Sequence, residues 1–129
     1  MKKSFVRGTW QDKRAYSPAV ITHGGKIIWL AGHTGAATDD GKSLAGDFDA
    51  QVRQTFRNLD ATLREAGGSL KDLVTMTVSL TDARHTTRMT EIRREIFEKD
   101  FAASAAITVA GLADPSMLIE IQAVAVLPE

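Results

Sequence analysis

The sequence predicts an α+β fold, a single sheet of about six strands with two helices packed on one face. Two stretches repeat their apolar residues with helical period, others alternate with strand period, and two strands are apolar at successive positions. In chain order, a short strand near Ser4–Arg7 precedes the polar stretch Gln11-Asp12-Lys13-Arg14-Ala15. Residues 18–23 and 26–32 flank Gly24-Gly25, which signals a hairpin between two strands. Residues 33–47 are irregular, with turn formers at Gly35, Asp39-Asp40-Gly41 and Gly46. Phe48, Val52, Phe56, Leu59, Leu63 and Ala66, spaced 4, 4, 3, 4 and 3, form one stripe of an amphipathic helix, and Gly67-Gly68 ends it. Val74, Met76, Val78 and Leu80 alternate with Thr75, Thr77 and Ser79, a strand with one polar face. His85, Met89, Ile92 and Ile96 mark a second helix, N-capped by Asp82 and running to about Lys99. The last strands are Ala105–Ala110 and Leu118–Leu127, joined by a turn around Ala113-Asp114-Pro115.

The 129 residues form one domain, with no linker, repeat or low-complexity tract. Two helices cover one face of such a sheet. Yet Ile27-Ile28-Trp29-Leu30-Ala31 and Ala123-Val124-Ala125-Val126-Leu127 are apolar on both faces, so a second copy of the chain is expected to cover the other face. Sixteen basic side chains balance sixteen acidic ones, which argues against a nucleic-acid partner. The lack of cysteine removes thiolate chemistry and cysteine metal sites and fits a cytoplasmic protein. Charges after Met1-Lys2-Lys3 break any secretory leader, and no apolar run approaches the ~18 residues of a membrane span.

The pattern disfavours nucleophilic, metal and phosphate-cradle chemistry. It has no Gly-x-Ser-x-Gly elbow, and His23, His33 and His85 lack ligand spacing. Gly32-His33-Thr34-Gly35 matches neither the Walker pattern nor the dinucleotide one. Acid–base chemistry is left. Glu120 interrupts the apolar strand Leu118-Ile119-Glu120-Ile121-Gln122, either as an exposed strand position or as a cleft carboxylate suited to general acid–base work, with Gln122 on the same face. Tyr16, the one tyrosine, sits at a strand entrance as a packing lid or a ligand contact. His33, at a strand end, is a solvent-exposed loop residue or a proton carrier. Arg84, Arg88, Arg93 and Arg94 with Glu91 and Glu95 form a charged helix face, ordinarily solvated, from which Arg88 could instead reach an anion.

The chain resembles the Rid family, also called the YjgF/YER057c or reactive intermediate deaminase family. The residues that carry the likeness are Tyr16 ahead of Ala19-Val20 and Gly25-Lys26-Ile27-Ile28-Trp29-Leu30-Ala31-Gly32. Asp49-Ala50-Gln51-Val52-Arg53-Gln54, Asn58-Leu59, Ala66-Gly67, Leu70-Lys71-Asp72-Leu73-Val74, Val109-Ala110-Gly111-Leu112 and Leu118–Ala125 continue it over nearly the whole chain. The resemblance implies a chorismate-mutase-like fold, a homotrimer with clefts between subunits, and cofactor-free, metal-free hydrolysis of small imines or enamines to a keto acid and ammonia. The family's cleft tyrosine falls on Tyr16 and its glutamate on Glu120, which the resemblance makes the catalytic pair. Its serine before the strand-end glycine falls on Ala31, the following position on His33, and the asparagine of the second helix on Thr90. The arginine that grips the substrate carboxylate, in a segment before the penultimate strand, falls on Ser104 of Ala102-Ala103-Ser104. Replacing a bidentate clamp with one hydroxyl predicts poor turnover of 2-imino acids. It leaves a neutral substrate, or a longer acid reaching Arg88 or a residue across the interface. A small-metabolite-binding trimer without catalysis is the alternative reading.

Overall fold

A computed structural model describes residues 1–129. Six strands and two α-helices follow in the order β1 (Lys2–Val6), β2 (Ala19–His23), β3 (Lys26–His33), α1 (Phe48–Glu65), β4 (Leu73–Leu80), α2 (Thr86–Phe97), β5 (Ala103–Thr108) and β6 (Ile119–Leu127). The strands divide into a four-stranded sheet, β3-β6-β4-β5, and a two-stranded ribbon, β1-β2. β4 runs parallel to β5, and the other pairings are antiparallel. The ribbon meets the sheet through one parallel bridge, Ser17 to Ala103.

The hairpin expected at Gly24-Gly25 is not formed. Both glycines take positive φ, 76° and 93°, as a tight turn requires. The strands they join have different partners, however: β2 pairs with β1, and β3 pairs with β6. The dipeptide supplies the sharp turn, and the partners are chosen by packing elsewhere.

α1 is held at both ends by the groups its sequence offers. The Asp47 side chain accepts from the Ala50 N–H at 3.1 Å. At the other end Gly67, with φ 93°, lets Gly68 N–H reach Leu63 C=O at 2.8 Å and Gly67 N–H reach Arg64 C=O at 3.1 Å, a Schellman closure. The stripe Val52, Phe56, Leu59 and Leu63 is buried against Met76, Val78 and Leu80 of β4 and Ile119, Ile121, Ala123 and Ala125 of β6. Met89 and Ile92 of α2 complete this core. Asp82 caps the short 3-10 turn Ala83–His85 that leads into α2, not α2 itself, by accepting from Arg84 N–H.

The sheet's second face is open in the single chain, and Ile27 and Trp29 on β3 are 51% and 77% exposed. No helix is long and apolar enough to cross a membrane.

Candidate active site

Strand register decides which site residues meet. Ser104 lies opposite Met76 of β4, whose side chain is buried under the helices. Glu120 lies opposite Ser79, three residues further along β4. Alternation along the strand therefore puts Ser104 on the helix side of the sheet and Glu120 on the open side, with Gln122 two residues on. The expected site residues form two groups on opposite faces.

The helix-side group surrounds a cavity of about 440 Å³ lined by Tyr16, Thr90 and Ser104, together with Trp10, Arg14 and Arg93. Tyr16 enters through the loop that the short 3-10 turn Asp12–Arg14 closes. Ser17 fastens this loop by donating from Oγ to Phe101 C=O at 2.6 Å and from its N–H to Ala102 C=O at 3.1 Å. Trp10 meets the Tyr16 ring edge-on, with centroids 6.0 Å apart. Ser104, expected in the segment before the penultimate strand, is inside β5, because pairing with β4 begins at Ala103.

Arg93 departs from the solvated helix face expected of it. It is only 3% exposed. It donates from Nη1 to Ser104 Oγ at 2.8 Å and from Nη2 to the Arg14 carbonyl at 3.0 Å. Its guanidinium lies 5.8 Å from the Tyr16 ring centre. Burial pushes its pKa down to about 10, partly offset by Tyr16, so it stays charged at neutral pH. The signal was present in the sequence: Arg93 follows Met89 by one turn, on the flank of the buried stripe. Arg88 has a different setting. It is half exposed, and its guanidinium meets the Asp49 carboxylate at 2.8 Å and the Glu91 carboxylate at 3.3 Å. The hydrogen bond from Arg88 holds Asp49 below the usual carboxylate range.

The open-face group is built around Glu120. A Cβ on Gly32 would lie 2.7 Å from Glu120 Oε2 and 2.8 Å from Cδ, so glycine leaves the room the carboxylate occupies. Ala31 precedes it and is exposed. His33 ends the same strand but does not join Glu120 on the open face: past a bulge it lies opposite the buried Ile121 and turns to α1, with Nδ1 2.8 Å from Ala31 C=O and Nε2 2.8 Å from Thr62 Oγ1. The carbonyl can only accept, so Nδ1 carries a proton, and the Thr62 hydroxyl, which can donate or accept, serves Nε2 in either role. A larger groove of about 620 Å³, bordered by Lys3, Asp60, Arg64, Lys71 and Asp100, contains none of these residues and mixes both signs of charge. No cluster of His, Asp and Glu is arranged to hold a metal ion.

The layered sheet, the Tyr16 cavity and the strand-borne Glu120 together define a small α+β domain with a divided polar site. The model of the family described as Endoribonuclease L-PSP matches residues 10–127, and the chain belongs to that family, which the Rid proteins share. It is 34% identical over 110 residues to a RutC family protein of Pyrococcus abyssi, covering 85% of this chain and 84% of that one. It is 32% identical over 111 residues to the human 2-iminobutanoate/2-iminopropanoate deaminase, covering 86% of this chain and 79% of that one. Among solved structures, a Yersinia pestis Rid family protein of unknown function, YyfB, superposes with a TM-score of 0.87 at 28% identity, covering 98% of this chain and 100% of that one. RidA from a Psychrobacter species superposes with a TM-score of 0.73 at 31% identity, covering 87% and 88%.

Proposed function

We propose that the protein hydrolyses small imines or enamines in clefts between copies of the chain, with Glu120 of one copy facing the Tyr16–Ser104 cavity of the next. The observation that carries this reading is the division of the site: Glu120 and Ser104 project from opposite faces of one sheet, so one chain cannot bring them to one substrate. The open apolar face around Ile27 and Trp29 supports the same arrangement, because a neighbouring copy seated there would exclude water from Glu120. The likeness to the human 2-iminobutanoate/2-iminopropanoate deaminase supports the reaction class. The balance of charge favours a small-molecule partner over RNA. We place the protein in the cytoplasm as a homotrimer, and its mass in solution should be three times that of the chain. A monomer at micromolar concentration in light scattering would overturn the shared cleft.

In the proposed reaction Glu120 takes a proton from water as the oxygen adds to the C=N carbon. The nitrogen, protonated in turn, leaves as ammonia while the carbonyl forms. No metal or cofactor is needed for these steps. Tyr16 closes over the substrate, Thr90 and Ser104 present hydroxyls, and His33 holds the end of β3 beside Glu120.

Imines generated in situ by an amino-acid oxidase test the reaction directly, since the protein should speed release of the keto acid. Gly32→Ala probes the placement of the carboxylate. The added methyl must displace the Glu120 side chain, and turnover should fall by about 100-fold, the scale of an ångström-sized misplacement. The side chain is flexible, so the melting temperature should barely move. A second reading, a binding trimer without catalysis, draws on Ala31, which offers no hydroxyl beside Glu120. That reading requires ligand binding with no acceleration of imine hydrolysis.

A further inference from the structure

We propose that Arg93, reaching into the site from α2, is the anion-recognition residue of this protein, and that the Tyr16–Ser104 cavity takes the carboxylate of a small 2-imino acid. The proposal rests on the imine-hydrolysing reading for its choice of acid. Its physical basis is independent of that reading.

Arg93 is a buried guanidinium with no carboxylate beside it. Its partners are a hydroxyl, a backbone carbonyl and, at 3.8 Å, the Met76 sulfur. Its Nε is buried without a partner. A buried charge is costly unless it is paired, and removing one member of a pair leaves the other strongly destabilised. The residues lining the cavity include two cations, Arg14 and Arg93, four hydroxyl bearers, Tyr16, Thr86, Thr90 and Ser104, and no acid. Such a lining attracts an anion and provides donors around it. Ser104 accepts from Arg93 through its oxygen, which leaves its own proton free to donate to a ligand. The planar fork of Arg93 is oriented in advance by Ser104 and the Arg14 carbonyl, so little is lost in fixing it when an anion arrives.

This changes the meaning of Ser104. The small side chain leaves room for the guanidinium that approaches from α2. An arginine there would bring a second positive charge into the same buried space. On this proposal the neutral substrate or longer acid expected from the sequence gives way to a small acid.

The test reads binding without turnover. The assembled protein is titrated calorimetrically with 2-oxobutanoate and with its neutral methyl ester. Wild type should bind the acid at least 10-fold more tightly than the ester. Arg93→Met should lose roughly 10- to 150-fold in affinity for the acid, the worth of a hydrogen bond to a charged group, with little change for the ester. Ser104→Arg should weaken binding of the acid. Equal binding of acid and ester by wild type, which requires no variant to fold, would overturn the proposal. So would an Arg93→Met protein that keeps its preference for the acid, or a Ser104→Arg protein that gains one. Selective acid binding through Arg93 with no imine hydrolysis would support this inference and sink the proposed reaction. Imine hydrolysis without acid preference would do the reverse.

Discussion

Glu120→Gln should reduce imine hydrolysis by about 10²–10⁴-fold, the range associated with a general acid–base group. The amide keeps the carboxylate's shape but cannot take the proton from attacking water. Glu120 is partly exposed in the chain, on the open face of β6, and the core is made by its neighbours Ile119 and Ile121. The substitution should therefore leave stability within about 0.5 kcal/mol of wild type, as is usual for surface changes away from special features. Steady-state assays on enzymatically generated imines, with the melting temperature measured in parallel, separate the two effects. Undiminished turnover would remove Glu120 from the chemistry and leave the binding-trimer reading in place.

Gln51→Leu should cost about 2–4 kcal/mol of stability, because three backbone groups lose their partner at once. Gln51 is fully buried on α1, and both its amide nitrogen and its oxygen bond to backbone groups. Nε2 donates to Leu44 C=O at 3.0 Å and to Ser116 C=O at 2.8 Å, while Oε1 accepts from Leu118 N–H at 2.9 Å. It thus joins the loop before α1 to the segment that leads into β6 and Glu120. Leucine is apolar and one bond shorter, and bonds with none of the three. Chemical denaturation at fixed protein concentration, so that assembly contributes equally, checks the prediction. Arg57→Ala, at an exposed position of the same helix, serves as the control and should change stability by less than about 0.5 kcal/mol. A loss below about 1 kcal/mol for Gln51→Leu would show that the loops satisfy their backbone by other means.

Gln51 also shows how a motif can be legible while its purpose is not. Asp49-Ala50-Gln51-Val52-Arg53-Gln54 and Asn58 helped to mark the family resemblance. The structure gives several of them a mechanical task. Gln54 donates to Asp39 Oδ1 at 2.8 Å and Asn58 donates to Thr34 C=O at 2.7 Å, so the polar side of α1 holds down the irregular stretch after β3. Gly35 permits the close approach, since a Cβ there would lie 2.5 Å from the Thr55 nitrogen. Polar residues bonded to a loop and polar residues facing water have the same spacing on a helix. Only the packed loop tells them apart.

The sequence by itself determined the elements of this protein, their order and the buried stripes of α1 and β4. A helix or strand repeats its buried positions with its own period, so Val52, Phe56, Leu59 and Leu63, and Met76, Val78 and Leu80, declare their core side locally. It also identified Tyr16 and Glu120 as residues worth attention. The tertiary structure alone decided that β2 and β3 take different partners, that Ser104 and Glu120 stand on opposite faces, and that Arg93 is buried beside Ser104. Arg93 finds its partners 11, 17 and 79 residues away, at Ser104, Met76 and Arg14. Periodicity describes one element at a time, whereas the burial of a charge depends on what several distant elements bring to it.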